Sequence, residues 1–101
     1  MLVVHAEFPI LAERRAEALE LIDTLVEESN EEPGVIDYRA ATDVQDPNVV
    51  RFLERYEDAD AFAAHAESEH FETFEAELPE LLASEPTVVR FDVDSASELD
   101  L

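Results

Sequence analysis

The stretch VIDYRAATDVQDPNVVRFLERYE, residues 35–57, predicts two β-strands joined by a short turn. Residues 35–42 and 49–57 are rich in β-branched and aromatic side chains, which is typical of strands. The segment between them, 43–48, has the aspartates, asparagine and proline that favour turns. Because this connection is short, we expect the two strands to pair as an antiparallel hairpin.

On the N-terminal side of the hairpin, the pattern predicts a strand over residues 2–8 and a helix over residues 11–30. The strand alternates between two faces, with Val4, Ala6 and Phe8 on one and Val3, His5 and Glu7 on the other. The apolar residues of the helix recur at three- and four-residue steps: Leu11, Ala18, Leu21, Ile22 and Leu25. Pro33 and Gly34 are expected to stop this helix.

On the C-terminal side, two short helices and a last strand are predicted. Asp58 or Asp60 caps the first helix, and Ser68 caps the second, which Pro79 interrupts. The residues on the inner side of these helices are Phe62, His65 and Ala66, then Phe71, Phe74, Leu78 and Leu81. The last strand covers residues 87–93.

Strand–helix–strand therefore occurs twice, which is the split βαβ pattern of ferredoxin-like α+β folds. Such a fold has a four-stranded antiparallel sheet with helices on one face. Here it forms a single domain over residues 1–93, followed by an acidic tail over 94–101. The strands carry apolar residues on both faces, so the sheet face without helices also needs a cover. A second copy of the chain is the simplest cover, and we predict a homodimer through sheet-to-sheet packing.

The chain is strongly acidic, with 27 aspartates and glutamates against six basic residues, all arginine, and a formal net charge of −21. The acids occupy the polar phases of periodic segments, which favours adaptation to high salt in a halophilic source. The alternative is an acidic interaction module or a disordered, solvating segment. In either case no basic patch can form, so nucleic acid and anionic membrane surfaces are not expected partners.

The absence of cysteine excludes a disulfide framework, a thiolate metal site and a cysteine nucleophile. No apolar run approaches the length of a membrane span, and the start MLVVHAEF lacks the basic region and cleavage site of a signal peptide. We therefore expect a cytoplasmic protein.

Four motifs follow one another between Glu32 and Phe74. They are EPGVIDY at 32–38, FLERY at 52–56, DADAFAAH at 58–65 and SEHF at 68–71. In this order and spacing they resemble the antibiotic biosynthesis monooxygenase family, which includes small quinol monooxygenases and their autoinducer-processing relatives. The resemblance covers most of the chain, and it indicates the fold more strongly than the substrate.

The resemblance implies a dimeric α+β barrel in which each protomer holds its own pocket between sheet and helices. It also implies catalysis without metal or flavin, in which a phenol, quinol or enol loses a proton and the resulting carbanion reduces dioxygen directly. Other relatives bind or isomerise small metabolites, and some degrade haem with the help of a tryptophan. This chain has no tryptophan, which counts against haem degradation.

His65 is the candidate catalytic residue, because a histidine titrates near neutral pH and can accept a substrate proton and later return it. It lies on the same helical side as Phe62, facing inward. The alternative is a buried structural histidine that is satisfied by a backbone carbonyl or by Glu54.

Glu54 is the second candidate catalytic residue, on a strand face that it shares with aromatic side chains. A carboxylate in such surroundings needs a partner, and we expect it to orient His65 or tune its basicity. The alternative is a structural ion pair with Arg39 or Arg90.

Six further residues are candidates for substrate binding: Tyr38, Phe52, Tyr56, Phe62, His70 and Phe74. The tyrosines can donate hydrogen bonds to a quinone-like oxygen, although tyrosine on a strand often serves only packing. His70 is expected at the mouth of the pocket, or as an ordinary residue in the first turn of the last helix.

A metal site is not expected. His65, Glu69 and His70 form H-x-x-x-E-H, which is one residue longer than the zinc pattern H-x-x-E-H. Residues five apart point to different sides of a continuous helix, although a helix break near Ser68 weakens this argument. No other cofactor is expected either.

The sequence therefore leads to two hypotheses from different classes. The first is a cofactor-independent monooxygenase that acts with dioxygen on a small aromatic quinol, phenol or enol. The second is a small-molecule-binding or stress-related dimer without turnover, and a metabolite isomerase is a further alternative. A closed apolar pocket that contains His65 would favour the enzymes over the binding protein.

Overall fold

In the computed structural model, which describes all 101 residues, four strands form one sheet and the helices pack on one of its faces. The elements in chain order are β1 (Leu2–Pro9), a 3-10 turn (Ala12–Arg14), α1 (Arg15–Ser29), β2 (Val35–Thr42), β3 (Val49–Tyr56), α2 (Ala59–Ala66), α3 (Glu69–Glu77), a second 3-10 turn (Leu78–Leu81) and β4 (Thr87–Asp92).

The predicted elements are all present, and each strand agrees with its prediction to within one residue at either end. The first helix differs more. It was expected from residue 11 but begins at Arg15, because Ala12–Arg14 forms a separate 3-10 turn. Pro79 lies in the second 3-10 turn, where the predicted interruption of α3 occurs, since proline has no N–H to continue the helix.

The sheet has the strand order β2-β3-β1-β4, and every neighbouring pair is antiparallel. The hairpin predicted for residues 35–57 forms the β2–β3 side of this sheet. The order places β1 between β3 and β4, as in the ferredoxin-like split βαβ arrangement. The predicted α+β fold class is therefore confirmed.

The core lies between the helices and one face of the sheet. Its 14 buried apolar residues are Leu2, Val4, Ala6, Phe8, Ile10, Ala18, Ile22, Leu25, Tyr38, Val50, Phe52, Tyr56, Phe74 and Leu81. The strand residues in this set alternate with exposed ones, so burial of a single face drives the packing of the helices. No helix combines the length and apolar character that crossing a bilayer requires.

The opposite face of the sheet, which we call the outer face, has no cover from its own chain. Leu53, Val89 and Phe91 on this face are each 43–48% exposed. The outer face also carries Arg39, Arg51 and Arg55, each paired with carboxylates of the same region. This face is therefore apolar and nearly balanced in charge, unlike the rest of this acidic molecule.

Two caps define the short helices beside the sheet. The side chain of Asp58 accepts a hydrogen bond from the N–H of Ala61, and that of Ser68 accepts one from the N–H of Phe71. Because Ser68 starts a new helix, His65 at the end of α2 and His70 at the start of α3 approach each other, with 5.9 Å between ring centroids.

The loop between α1 and β2 packs closely against α2 at Gly34. A Cβ atom at this position would overlap the Cβ atom of Ala61. The close approach therefore requires glycine here, and it brings the neighbouring Glu32 to the end of α2.

Candidate active site

An apolar cavity of about 110 Å³ lies between the sheet and helices α2 and α3. Twelve residues line it: Val4, Ala6, Phe8, Tyr38, Phe52, Glu54, Phe62, His65, Ala66, Phe71, Phe74 and Val88. His65 and Glu54 are the only ionisable side chains in this lining apart from the phenol of Tyr38. A small organic molecule held here would therefore meet few polar groups, all of them able to exchange protons.

His65 is buried, with only 2% of its surface exposed, and its Nδ1 lies 2.8 Å from Oε2 of Glu32. A carboxylate oxygen can only accept, so Nδ1–H donates and the lone pair of the neutral ring lies on Nε2. Nε2 is buried and has no hydrogen-bond partner in the protein. Burial lowers the pKa of His65 from its ordinary value of 6.5, against the opposing effect of Glu32. The neutral ring is thus a base with a free lone pair.

Glu32 also binds a second histidine. Nε2 of His70 lies 2.7 Å from the same oxygen, Oε2, and Nδ1 of His70 lies 3.6 Å from Oε2 of Glu28. His70 does not line the apolar cavity and instead borders a groove on the protein surface. His70 is thus not part of this cavity's lining, and as a residue of the first turn of α3 it binds Glu32.

Glu54 does face the helices as expected, but its partners are phenols rather than His65. The hydroxyl of Tyr56 donates to Oε1 of Glu54 over 2.6 Å. Burial raises the pKa of Glu54 to about 7, while hydrogen bonds from Tyr56 and Tyr38 act in the opposite direction. The expected contact that orients His65 is thus absent, since the ring is bound only by Glu32 through Nδ1 and its Nε2 has no partner.

The alternative ion pairs of Glu54 are also absent. Arg39 pairs with Asp37, and Arg90 lies beside Asp92 with its guanidinium 5.9 Å from the ring centre of Phe62.

Most of the aromatic residues expected in the substrate pocket line the cavity. Tyr38, Phe52, Phe62 and Phe74 line the cavity. Tyr56 does not line it, but its ring centroid lies 5.6 Å from that of His65. Phe71, which the sequence assigned only to the core, lines the cavity at 5.1 Å from His65.

Glu32 is the residue that the sequence argument missed. It appeared only as the first residue of the EPG motif that stops a helix, 33 positions before His65. A glutamate next to Pro-Gly has no local sign of a contact with a distant histidine. The EPG motif was the one feature of the sequence that could have singled out Glu32.

Glu32, His65 and His70 are also the residues with the geometry to hold a metal ion, since one ligand atom from each lies within 4.8 Å of the others. Glu69, which sequence spacing placed with the two histidines, is not part of this group. The cavity and this cluster meet at His65, which lines the cavity and binds Glu32 through Nδ1.

Comparison with known proteins supports the resemblance found in the motifs. The family model described as "Antibiotic biosynthesis monooxygenase" matches residues 1–77. The chain is 33% identical over 93 residues to the Bacillus subtilis protein described as "Putative monooxygenase YcnE", covering 92% of this chain and 98% of that protein.

Solved structures agree with this match. A crystal structure described as an antibiotic biosynthesis monooxygenase is 30% identical, with a TM-score of 0.88, and the match covers 94% of this chain and 100% of that one. A conserved Methanosarcina mazei protein is 28% identical with a TM-score of 0.85, covering 89% of each chain. A Deinococcus radiodurans structure has a TM-score of 0.92 at 17% identity over 99% of each chain, a likeness of fold alone.

Proposed function

The chain belongs to the antibiotic biosynthesis monooxygenase family, and from this premise we propose that it oxidises a small quinol, phenol or enol with dioxygen. The observation that carries the proposal is the neutral His65, whose free Nε2 is buried beside an apolar cavity. In this proposal the enzyme needs no cofactor, because the deprotonated substrate supplies the electrons.

In the proposed reaction, Nε2 of His65 removes a proton from the substrate. The imidazolium that forms is stabilised by Glu32, since its Nδ1–H already donates to that carboxylate. The apolar walls keep water away, so the resulting anion is not stabilised by solvent and remains a strong reductant.

The electron balance requires no other reductant. Loss of the hydroxyl proton from a phenol, quinol or enol gives an anion with carbanion character at a ring or enol carbon that carries hydrogen. This carbon adds dioxygen, and the peroxide that forms takes up the proton. The peroxide then loses water, and a carbonyl replaces the C–H group. The substrate thus supplies four electrons, one oxygen atom enters the product and the other leaves as water.

The size of the cavity favours a single ring as substrate. An engineered apolar cavity of about 150 Å³ binds benzene, and this cavity of about 110 Å³ is slightly smaller. Val88 of the edge strand β4 lines the cavity and is 58% exposed, so entry from this side requires only a small displacement.

Glu54 has a supporting role in the proposal. With its pKa raised to about 7, a large fraction of this side chain is protonated at neutral pH and can donate a hydrogen bond. A phenolate or enolate oxygen of the substrate is a suitable acceptor. Tyr56 holds the other carboxyl oxygen in place.

Oxygen uptake with a panel of hydroquinones and phenols, measured in molar salt, tests the proposal. We expect turnover by the natural chain and its loss in His65→Ala. His5→Ala is the matched control, because His5 is exposed on the opposite face of the sheet and does not line the cavity. Activity that persists in His65→Ala contradicts the role of His65, and saturable binding without oxygen uptake favours the non-catalytic alternative.

We further propose that the protein acts as a homodimer, with the outer faces of two sheets packed together. The support is the exposed apolar surface on a face where arginines and acids balance, so that two acidic chains can approach there. The cavity and its lining belong to one protomer in this arrangement.

A further inference from the structure

The cluster of Glu32, His65 and His70 brings together three separate parts of the chain. Glu32 comes from the loop after α1, His65 from the end of α2 and His70 from the first turn of α3. Nδ1 of His65 and Nε2 of His70 lie 2.8 and 2.7 Å from the same carboxylate oxygen. Two imidazole nitrogens thus point at one oxygen. The proposed reaction uses His65 and Glu32 of this cluster but gives no role to His70.

We propose that this cluster is a binding site for a divalent transition-metal ion of the Zn²⁺ type. The ion replaces the two ring protons that now point at Glu32, with Nδ1 of His65, Nε2 of His70 and one oxygen of Glu32 as ligands. Donor atoms in a tetrahedral zinc site lie about 3.4 Å apart when each is about 2.1 Å from the metal. The present nitrogen–oxygen distances of 2.8 and 2.7 Å are about 0.6 and 0.7 Å shorter than this value, and all three donor atoms lie within 4.8 Å of one another.

The second nitrogen of His70 supports the proposal. With the metal on Nε2, the proton of a neutral His70 lies on Nδ1, which faces the carboxylate of Glu28 at 3.6 Å. A carboxylate behind a metal-bound histidine is the usual device that fixes the ring and strengthens it as a ligand. Glu28 is therefore placed as this outer partner of His70.

The surroundings favour entry of a cation. Glu32 and His70 border an open groove of about 650 Å³ whose other lining residues are Thr24, Glu27, Glu28, Glu31 and Pro33. The carboxylates in this groove concentrate cations near its wall, and the net charge of −21 acts in the same direction. The groove also leaves room for water as a fourth ligand, as in zinc sites with three protein ligands.

The donor set indicates which ions fit. Two imidazole nitrogens and one carboxylate oxygen suit Zn²⁺, Co²⁺, Ni²⁺ or Cu²⁺, whereas Mg²⁺ and Ca²⁺ prefer oxygen ligands only. This preference separates the site from the many surface carboxylates, which hold any divalent cation weakly.

Metal binding and the proposed reaction exclude each other; this consequence alone rests on the proposed function. A metal on Nδ1 of His65 leaves the proton of the neutral ring on Nε2, so the ring can no longer accept one from the substrate. A transition-metal ion therefore inhibits oxygen uptake, while the metal site itself is measured without any substrate.

The test is a titration of the metal-free protein with Co²⁺ and Zn²⁺ in molar NaCl, which suppresses binding to surface carboxylates. We expect one tight site per chain, with the intense visible absorption of tetrahedral Co²⁺ and its displacement by Zn²⁺. In proton NMR spectra, the ring signals of His65 and His70 shift on Zn²⁺ addition, while those of His5 stay unchanged.

Two ligand variants and two controls make the outcome decisive. Affinity in His70→Ala and Glu32→Gln falls by at least about tenfold, while Glu20→Gln, at an exposed carboxylate outside the groove, and His5→Ala retain the natural affinity. Far-UV circular dichroism establishes that each variant is folded. Weak binding at several sites, equal for Zn²⁺ and Mg²⁺ and unchanged in His70→Ala, overturns the proposal. Tight binding by a chain whose metal-free form shows no oxygen uptake supports the metal site and removes only the proposed function.

Discussion

Glu32 determines which nitrogen of His65 is available to a substrate. Its carboxylate accepts from Nδ1–H at 2.8 Å, so the lone pair of the neutral ring is on Nε2, beside the apolar cavity. An amide at this position can present its NH₂ group to Nδ1, which stabilises the tautomer with the proton on Nε2. The same substitution removes the negative charge that stabilises the imidazolium.

We therefore expect Glu32→Gln to lower kcat by at least about tenfold, in the range by which a positioned acid or base contributes, with little change in KM. Nitrogen NMR of the His65 ring gives an independent measurement, because the two tautomers have different shifts. Glu31→Gln is the matched control, since Glu31 is exposed. An unchanged tautomer and an unchanged kcat in Glu32→Gln would contradict the assigned role.

Glu54 makes stability depend on pH. Its pKa is about 7 in the folded chain, against 4.5 for an unperturbed glutamate. Between these values Glu54 is ionised in the unfolded chain but keeps its proton in the folded chain. The free energy of unfolding therefore falls as pH rises from about 4.5 to about 7. The group accounts for about 3 kcal/mol of this fall, and it contributes no further change above pH 7.

Urea unfolding in molar salt, measured from about pH 4.5 to about pH 8, checks this prediction. Glu54→Gln keeps an acceptor for Tyr56. Its free energy of unfolding should fall less between about pH 4.5 and about pH 8 than that of the natural chain. Glu57→Gln, which changes an exposed carboxylate, should leave the pH dependence unaltered. Parallel curves for the natural chain and Glu54→Gln would show that Glu54 titrates normally.

At the scale of residues, the sequence located the centre of the site but not its electrostatic partners. His65 was found because its position on an inward helical side follows from local periodicity. That Glu32 and not Glu54 binds it depends on how a loop packs against a helix 33 positions away. Local pattern carries no information on such a contact, and strand alternation, which places Glu54 on one face with aromatic residues, favoured Glu54 instead.

Gly34 connects the loop after α1 with α2. Because a Cβ atom here would overlap that of Ala61, Gly34→Ala must push the loop away from the helix. We expect a loss of about 1–3 kcal/mol in the free energy of unfolding, the usual cost of overpacking. The displaced loop also carries Glu32, so the tautomer of His65 should become less well defined.

A double-mutant cycle tests whether the contact itself is the cause. Ala61→Gly removes the opposing methyl group at the ordinary cost of about 1 kcal/mol for glycine in a helix. The double variant should lose less stability than the sum of the single variants, as measured by urea unfolding. Strict additivity would mean that Gly34→Ala acts through the backbone conformation and not through Ala61.

At the scale of elements, the strands were predicted to within one residue because alternation and the Pro-containing turns mark both ends. The break between α2 and α3 was also predicted, from Ser68 as the cap of a second helix. What the sequence left open was the consequence of this break, which turns two histidines five positions apart towards one carboxylate. Their convergence depends on the angle between two helices, which no local pattern encodes.

For the whole molecule, charge and apolar surface act against each other. A net charge of −21 on a chain of 101 residues opposes contact between two copies, and salt screens that repulsion. The outer face is where this repulsion is weakest, because Arg51 and Arg55 are paired with carboxylates there. The sequence predicted an uncovered apolar face; the local balance of charge emerged only from the ion pairs.

The proposed dimer should therefore form through the outer face and become tighter as salt concentration rises. Light scattering in molar salt is expected to give twice the chain mass of 11.4 kDa. Leu53→Glu places a charge in the centre of the face, where the natural side chain is 48% exposed, and should yield monomers. The dimer is lost because two such charges, one from each copy, would be buried near each other without partners.

Leu99→Glu is the matched control, since Leu99 lies in the tail and is 88% exposed. It adds the same charge to the molecule. If the dimer survives Leu99→Glu but not Leu53→Glu, the outer face holds the dimer together, and the loss in Leu53→Glu is not an effect of net charge. If both variants dissociate equally as salt is lowered, the dimer depends on screening of the net charge and not on the outer face. A natural chain that stays monomeric in molar salt would leave the outer face to solvent and remove the dimer from the proposed function.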